Sequence, residues 1–240
     1  MQQKPIIQLV DVYKEYRVGA ISTMALKKVN FQVFNGQLIA IMGPSGSGKT
    51  TLLNMIGLLD RPTKGKIFFD GFDISRLDDN TLANLRNTKL GFVFQTFNLV
   101  NRLSVFENIE LPLIPRGIPR NVREKMVLEA VIRVGGDESW LPKKPNQLSG
   151  GQQQRVAIAR AIVGKPVVLL ADEPTGNLDR ASAKVVVETF LSLNKAGHTV
   201  IVVTHDPEVA NCMEKIYVIR DGEIMGELMS NKTESLISKA

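Results

Sequence analysis

An α/β fold built on a mostly parallel sheet is predicted by three features of the chain. VVLLAD at 167–172 and TVIVVTH at 199–205 are continuous apolar runs, as strands buried on both faces require. Helical stretches alternate with such strands, which is the pattern of a parallel sheet. A long helical stretch between about 96 and 163 interrupts the alternation and predicts an inserted α-helical subdomain.

Taken in order, residues 6–12 (IIQLVDV) and the stretch to 34 that begins at Ala25 read as strands, the second with partial alternation. QLIAIM at 37–42 is a short apolar strand before a glycine loop, and a helix follows from Lys49 through Gly57. KIFFD and GFVF are further short strands. Residues 104–135 read as helical, split at about 112–119 by Pro112, Pro115 and Pro119. Ser149 is a good N-cap for a helix to Val163, which Gly164 and Pro166 stop. Residues 180–196 form another helix, and YVIRDGEIMGEL reads as a hairpin turning at Asp221-Gly222. Trp140 is expected to pack on the helical subdomain, and Cys212 to be a small buried hydrophobe after a short helix. His198 reads as a surface residue and SNKTESLISKA at the C-terminus as a frayed polar tail.

Composition narrows the class. Apolar residues at 44% against 22% charged describe a globular chain rather than a disordered one. No window approaches 18 uninterrupted apolar residues, so no membrane span is expected, and the N-terminus lacks the pattern of a signal peptide. One cysteine excludes an internal disulfide and suits a reducing cytosol. The net charge of +6 is scattered along the chain, so it reads as solvation and no nucleic-acid partner is expected.

Residues 43–50, GPSGSGKT, match G-x-x-x-x-G-K-[ST] at every fixed position. Glycines let backbone N–H groups turn inward around phosphate oxygens, and the following helix adds its positive end. Lys49 would place its ammonium on the β- and γ-phosphates, and Thr50 its hydroxyl on Mg²⁺. VVLLADE ends a strand with Asp172 and Glu173, at the edge where an α/β sheet forms its ligand crevice. Asp172 would hold Mg²⁺; Glu173, pointing to another side, suits a general base toward the γ-phosphate.

LSGGQ at 148–152, followed by QQRVAIARA, completes the set, and the chain resembles the ATP-binding-cassette ATPases over nearly its whole length. The motifs stand in that family's order: the phosphate loop at 43–51, a Q-loop glutamine at Gln95, the signature, the acidic strand end at 167–173, a D-loop at Asn177 to Asp179 and a switch histidine at His205. The resemblance implies a P-loop NTPase core with an antiparallel β subdomain beside the mostly parallel sheet, in one domain over 1–240.

It also implies roles. Gly43, Pro44, Ser45, Gly46, Ser47, Gly48, Lys49, Thr50 and Thr51 would cradle the phosphates of ATP. Tyr16 would stack on adenine, with Tyr13 as the competing candidate. Gln95 would reach the metal or the attacking water, Glu173 would be the base, and His205 would hydrogen-bond the γ-phosphate. Ser149, Gly150, Gly151 and Gln152 would face the ATP of a second copy, and Asp179 would act across that dimer interface.

GLLDRPTKGKI, GFVFQTFNL, ENIELPL and LLADEPTGNLD narrow the resemblance to the branch of lipoprotein-releasing and macrolide-export ATPases. That implies an integral membrane permease as partner, export or extraction as the task, and a peripheral position on the cytoplasmic face of the membrane. Val134 to Asp137 and Arg116 to Arg123 depart from the branch, and both lie where a permease would touch. Two alternatives within the family are a regulatory ATPase that signals through a membrane protein and a soluble ATPase acting on nucleic acid.

Overall fold

A computed structural model describes residues 4–19 and 21–230. Of the tail expected to fray, all but Ser230 lies outside these residues. The described chain forms two compact units, one from residues up to 86 together with those from 199 onward, the other from Asn87–His198.

The first unit holds two sheets. β1 (Ile7–Val18) pairs with β2 (Ile21–Val33) on one side and β4 (Lys64–Phe69) on the other, and β5 (Phe72–Asp73) extends β4. All these pairings are antiparallel. The second sheet runs β10-β9-β3-β8, with β3 (Leu38–Met42) parallel to both β8 (Thr199–Thr204) and β9 (Lys215–Arg220). β9 and β10 (Glu223–Met229) form the expected hairpin. Its turn residues Asp221 and Gly222 both take positive φ, 51° and 83°, as a two-residue primed turn requires. β8 is buried at every position, so its unbroken apolar run reports a strand covered on both faces. α1 (Lys49–Ile56) follows β3 through the glycine loop, and a short α7 (Pro207–Ala210) precedes buried Cys212.

β1 and β2 are longer than their patterns suggest, and a bulge is the reason. Asp11 sits at φ 45° and Lys28 at φ 49°, and the register shifts between Leu9 and Val12. Asp11 and Asn30 hold the bulge, exchanging a backbone and a side-chain hydrogen bond at 3.0 Å each. The extra residue breaks the period-2 alternation that would have carried the strand past Val12. Beyond it, residues 21–24 of β2 are exposed and give no alternation to read.

The chain enters the second unit within α2 (Asp79–Lys89), a helix with one buried apolar residue, Leu82. With no apolar stripe it has no helical period to detect; its sequence signal is Asp78, whose carboxylate accepts from the Thr81 amide at 2.9 Å. β6 (Leu90–Phe94) and β7 (Val168–Asp172) are a parallel pair. α3 (Val105–Glu110) opens with a Ser104–Glu107 capping box, and α4 (Arg120–Arg133) starts after Pro119, so the prolines do split the stretch between them. α5 (Gly150–Ile162) begins at its N-cap Ser149, and α6 (Arg180–Lys195) at its N-cap Asp179. The helical stretch expected over 96–163 lies inside this unit, which also holds the strand pair and α6.

α5 is the unit's central helix, with Val156, Ala157, Ile158 and Ala159 all fully buried. It lies so close to β6 that a side chain at Gly91 would strike the Ala161 carbonyl. Trp140 is 5% exposed, and the Arg155 guanidinium lies 4.8 Å from its ring. His198 corrects its assignment as a surface residue. It is half-buried: its Nδ1 lies 3.0 Å from the Pro166 carbonyl oxygen, and its amide donates to the Leu193 carbonyl at 3.1 Å, closing the turn after α6.

Candidate active site

In the first unit, Met42 ending β3 pairs directly with Thr204 ending β8. Gly43 and His205 therefore leave neighbouring parallel strands at the same level. The glycine loop is packed against the rest of this unit: a side chain at Gly43 would collide with the Ile219 carbonyl, and one at Gly48, which sits at φ 103°, would press on the Ala25 carbonyl. The Gly222 amide donates to the Ser47 carbonyl at 2.9 Å, tying the loop to the β9–β10 turn.

The loop's interior is polar and buried. The Lys49 ammonium donates to the Gly43 and Pro44 carbonyls at 2.8 and 2.9 Å, which centres the cation in the loop. Ser47 is 3% exposed, and its Oγ has no hydrogen-bond partner among the described residues. A buried hydroxyl without a partner costs free energy unless a ligand supplies one. Thr50 is exposed on the first turn of α1, where backbone N–H groups lack helical partners.

Tyr16 stands beside α1. Its hydroxyl donates to Asp60 at 3.0 Å, the Lys14 ammonium lies 4.8 Å from its ring, and the ring residue is 39% exposed. Burial, then the bond to Asp60, raises the pKa of its hydroxyl, with a hydrogen bond involving Thr51 opposing them. Tyr13 pairs with Lys64 in the sheet. Burial raises the Asp60 carboxyl, but hydrogen bonds from Lys14, the Arg61 amide and Tyr16 outweigh it and hold the group below the usual carboxylate value. Stability from such a group is full above the unfolded pKa of about 4 and is lost as pH falls through the lower folded value. Asp60→Asn is therefore expected to unfold more readily than the parent in urea at pH 7. That deficit should shrink as the titration is repeated below pH ~4.

In the second unit the same geometry recurs. Phe94 ending β6 pairs with Asp172 ending β7, so Gln95 and Glu173 leave adjacent parallel strands together. Glu173 has φ 45°, a left-handed conformation unusual for a side-chain-bearing residue and a form of strain found at functional sites. It turns the backbone out of the strand directly after Asp172. Gln95 is tied to the D-loop: its Nε2 donates to Asn177 Oδ1 at 3.3 Å, and Asn177 Nδ2 donates to the Gln95 carbonyl at 3.1 Å. A side chain at Gly176 would strike the Gln95 amide.

Ser149 accepts from the Gln152 amide at 3.3 Å, and Gln152 Oε1 accepts from the Ser149 amide at 2.9 Å. This capping box fixes the signature at the N-terminus of α5. Gly151 packs on Ser182 closely enough to exclude a side chain. Asp179 caps α6, accepting from the Ser182 amide at 2.9 Å and its hydroxyl at 2.6 Å, and these bonds, hydroxyl first, hold its carboxyl below the usual range.

Sequence reasoning passed over Asn177 as an individual site residue, although it is the first residue of the D-loop motif. It also passed over Gln154, which stands in a run of three glutamines and carries no motif of its own.

Residues 26–176 match the family model described as ABC transporter. An uncharacterised ABC transporter ATP-binding protein of Thermotoga maritima is 51% identical over 224 residues, spanning 93% of this chain and 95% of that protein. A macrolide export ATP-binding/permease protein, MacB of Syntrophobacter fumaroxidans, is 48% identical over 98% of this chain, which spans only 33% of that longer protein. Among solved structures, the dimeric post-hydrolysis state of the cassette MJ0796 bound to ADP and Pi superposes with a TM-score of 0.87 at 44% identity, covering 94% of this chain and 99% of that one. MJ0796 is a protein of Methanocaldococcus jannaschii. A glycine loop around a buried lysine, a strained glutamate after an acidic strand end and a Ser-capped signature helix are thus carried on the fold of a known cassette: this chain belongs to the ABC transporter family and is one of its ATP-binding, ATP-hydrolysing subunits.

Proposed function

We propose that two copies of this chain close on two Mg-ATP and drive a separate integral membrane permease, with export or extraction of a membrane-associated substrate as the task. The observation that carries the reading is the repeated strand-exit geometry: Gly43 beside His205, and Gln95 beside Glu173. The first pair brings the phosphate loop and a group for the γ-phosphate from adjacent strand ends, and the second brings two groups for the attacking water. The whole of 1–240 then works as one ATPase domain, with 96–163 as the helical part that meets the permease around Gln95 to Glu107. The dimeric MJ0796 cassette bound to ADP and Pi supports the two-copy arrangement.

In this reading Gly43 to Thr51 cradle the phosphates and Tyr16 stacks on adenine; Lys14 stands over the Tyr16 ring, and Asp60 orients its hydroxyl. Ser149 to Gln152 engage the γ-phosphate of the other copy's ATP, Asp179 acts at the interface, and His205 hydrogen-bonds the γ-phosphate. Glu173 takes the proton of the attacking water.

The donor chemistry of the residues named for the metal suits Mg²⁺. Among the described residues no group of three or more His, Cys, Asp or Glu could hold a metal ion. Thr50, Asp172 and Gln95 offer hard oxygen donors, which suits a cation that completes its shell with water and phosphate. Bound there, Mg²⁺ would neutralise charge on the β- and γ-phosphates. No helix among the described residues is long and apolar enough to cross a membrane, and a peripheral position on the cytoplasmic face, held by the permease, completes the proposal. Phosphate release from ATP by the purified chain is the test. It is expected to stop with excess EDTA and to return with Mg²⁺. Release that persists without a divalent cation would remove the metal role.

A further inference from the structure

We infer that Gln154 is a positioning residue that holds the two strand exits carrying Gln95 and Glu173 in register with the signature helix; this rests on the ATPase reading above. Gln154 lies on α5, five residues after the helix N-cap Ser149, and is 0% exposed. Its amide nitrogen donates to the Pro174 carbonyl at 2.6 Å and lies 3.4 Å from the Phe94 carbonyl. Pro174 follows Glu173, and Phe94 precedes Gln95. One buried NH₂ group, with its two donors, therefore reaches the backbone next to both residues that face the attacking water.

Two observations separate this from ordinary packing. First, Gln154 Oε1 is buried and has no partner among the described residues, an arrangement that costs free energy and that an apolar side chain would avoid. Second, the backbone that the amide grips is the strained one. Glu173 at φ 45° persists only if its neighbours resist relaxation. The Glu173 carbonyl is tied by the Gly176 amide at 3.1 Å, and Gln154 restrains the next carbonyl along. Removing the amide frees the turn to relax toward an ordinary strand exit and to carry the Glu173 carboxylate with it. Since α5 starts at the signature, the amide also makes that helix N-terminus and the water-facing residues move as one body.

The test uses Gln154→Leu and Gln154→Glu in the full chain, with steady-state ATP turnover and thermal unfolding measured on each. Gln154→Leu is expected to lower kcat by about 10- to 100-fold, the scale of a misplacement near 1 Å, with KM for ATP within about twofold. In Gln154→Glu the new buried carboxyl can donate only when protonated, and burial raises its pKa. Its kcat is expected to approach that of the parent at the acid end of the assay range and to fall as pH rises, a limb the parent lacks.

A kcat within about threefold of the parent in both variants, with no new pH limb, would overturn the inference. So would parallel losses of kcat, ATP affinity and unfolding temperature in both, since those mark a structural strut. A parent chain without ATP turnover would overturn the ATPase reading and this inference together; a turning-over parent with unaffected variants would overturn this inference alone.

Discussion

Glu173→Gln is expected to lower ATP turnover by about 10³-fold, within the range that general-base catalysis supplies, while ATP binding stays within a few-fold of the parent. The substitution keeps the shape of the side chain and removes its basicity. The left-handed backbone at residue 173 is tied through its carbonyl by the Gly176 amide and through the next carbonyl by Gln154, and both ties remain in the variant. Phosphate release gives the turnover and calorimetry gives the affinity. Turnover near that of the parent would remove Glu173 from the base role.

Lys49→Ala is expected to cost a similar amount, with a different signature. Lys49 is 9% exposed and its ammonium is held by the Gly43 and Pro44 carbonyls, so it presents a fixed positive charge inside the loop. A fixed charge of this kind stabilises bound phosphates and, more strongly, the charge that develops during transfer. Losing one such donor costs about 10²–10³ in kcat. Because the same charge binds the ground-state triphosphate, affinity should fall too, which separates this variant from Glu173→Gln in the same two assays. The loop itself should survive, since Gly43 and Gly48 are wedged against Ile219 and Ala25 independently of the lysine. Unchanged affinity would place the cation elsewhere than on the phosphates.

The sequence made the core of the fold legible wherever a local rule applied. GPSGSGKT between an apolar run and a helix announced β3, the loop and α1, and Asp221-Gly222 announced the last hairpin. VVLLAD and TVIVVT were readable because buried parallel strands need no polar face. What escaped lacks a periodic pattern or a fixed motif. The Asp11 bulge erased the alternation of β1, and α2 buries a single apolar residue, so periodicity is silent at both. The link between Tyr16 and Asp60 spans 44 residues, so no spacing rule in β1 could favour Tyr16 over Tyr13. The strain at Glu173 is invisible because nothing in ADEPTG forces a left-handed glutamate; the packing of the second unit does. Gln154 looks like one more solvated glutamine until its burial is known.

Light scattering after size exclusion of the Glu173→Gln variant, with and without Mg-ATP, tests the central claim most directly. If the signature at the start of α5 in one copy engages the γ-phosphate held by the Lys49 loop of another, this hydrolysis-blocked chain is a monomer without nucleotide and a dimer with it. A chain that binds Mg-ATP, by calorimetry under the same conditions, yet keeps the mass of a monomer would contradict that arrangement.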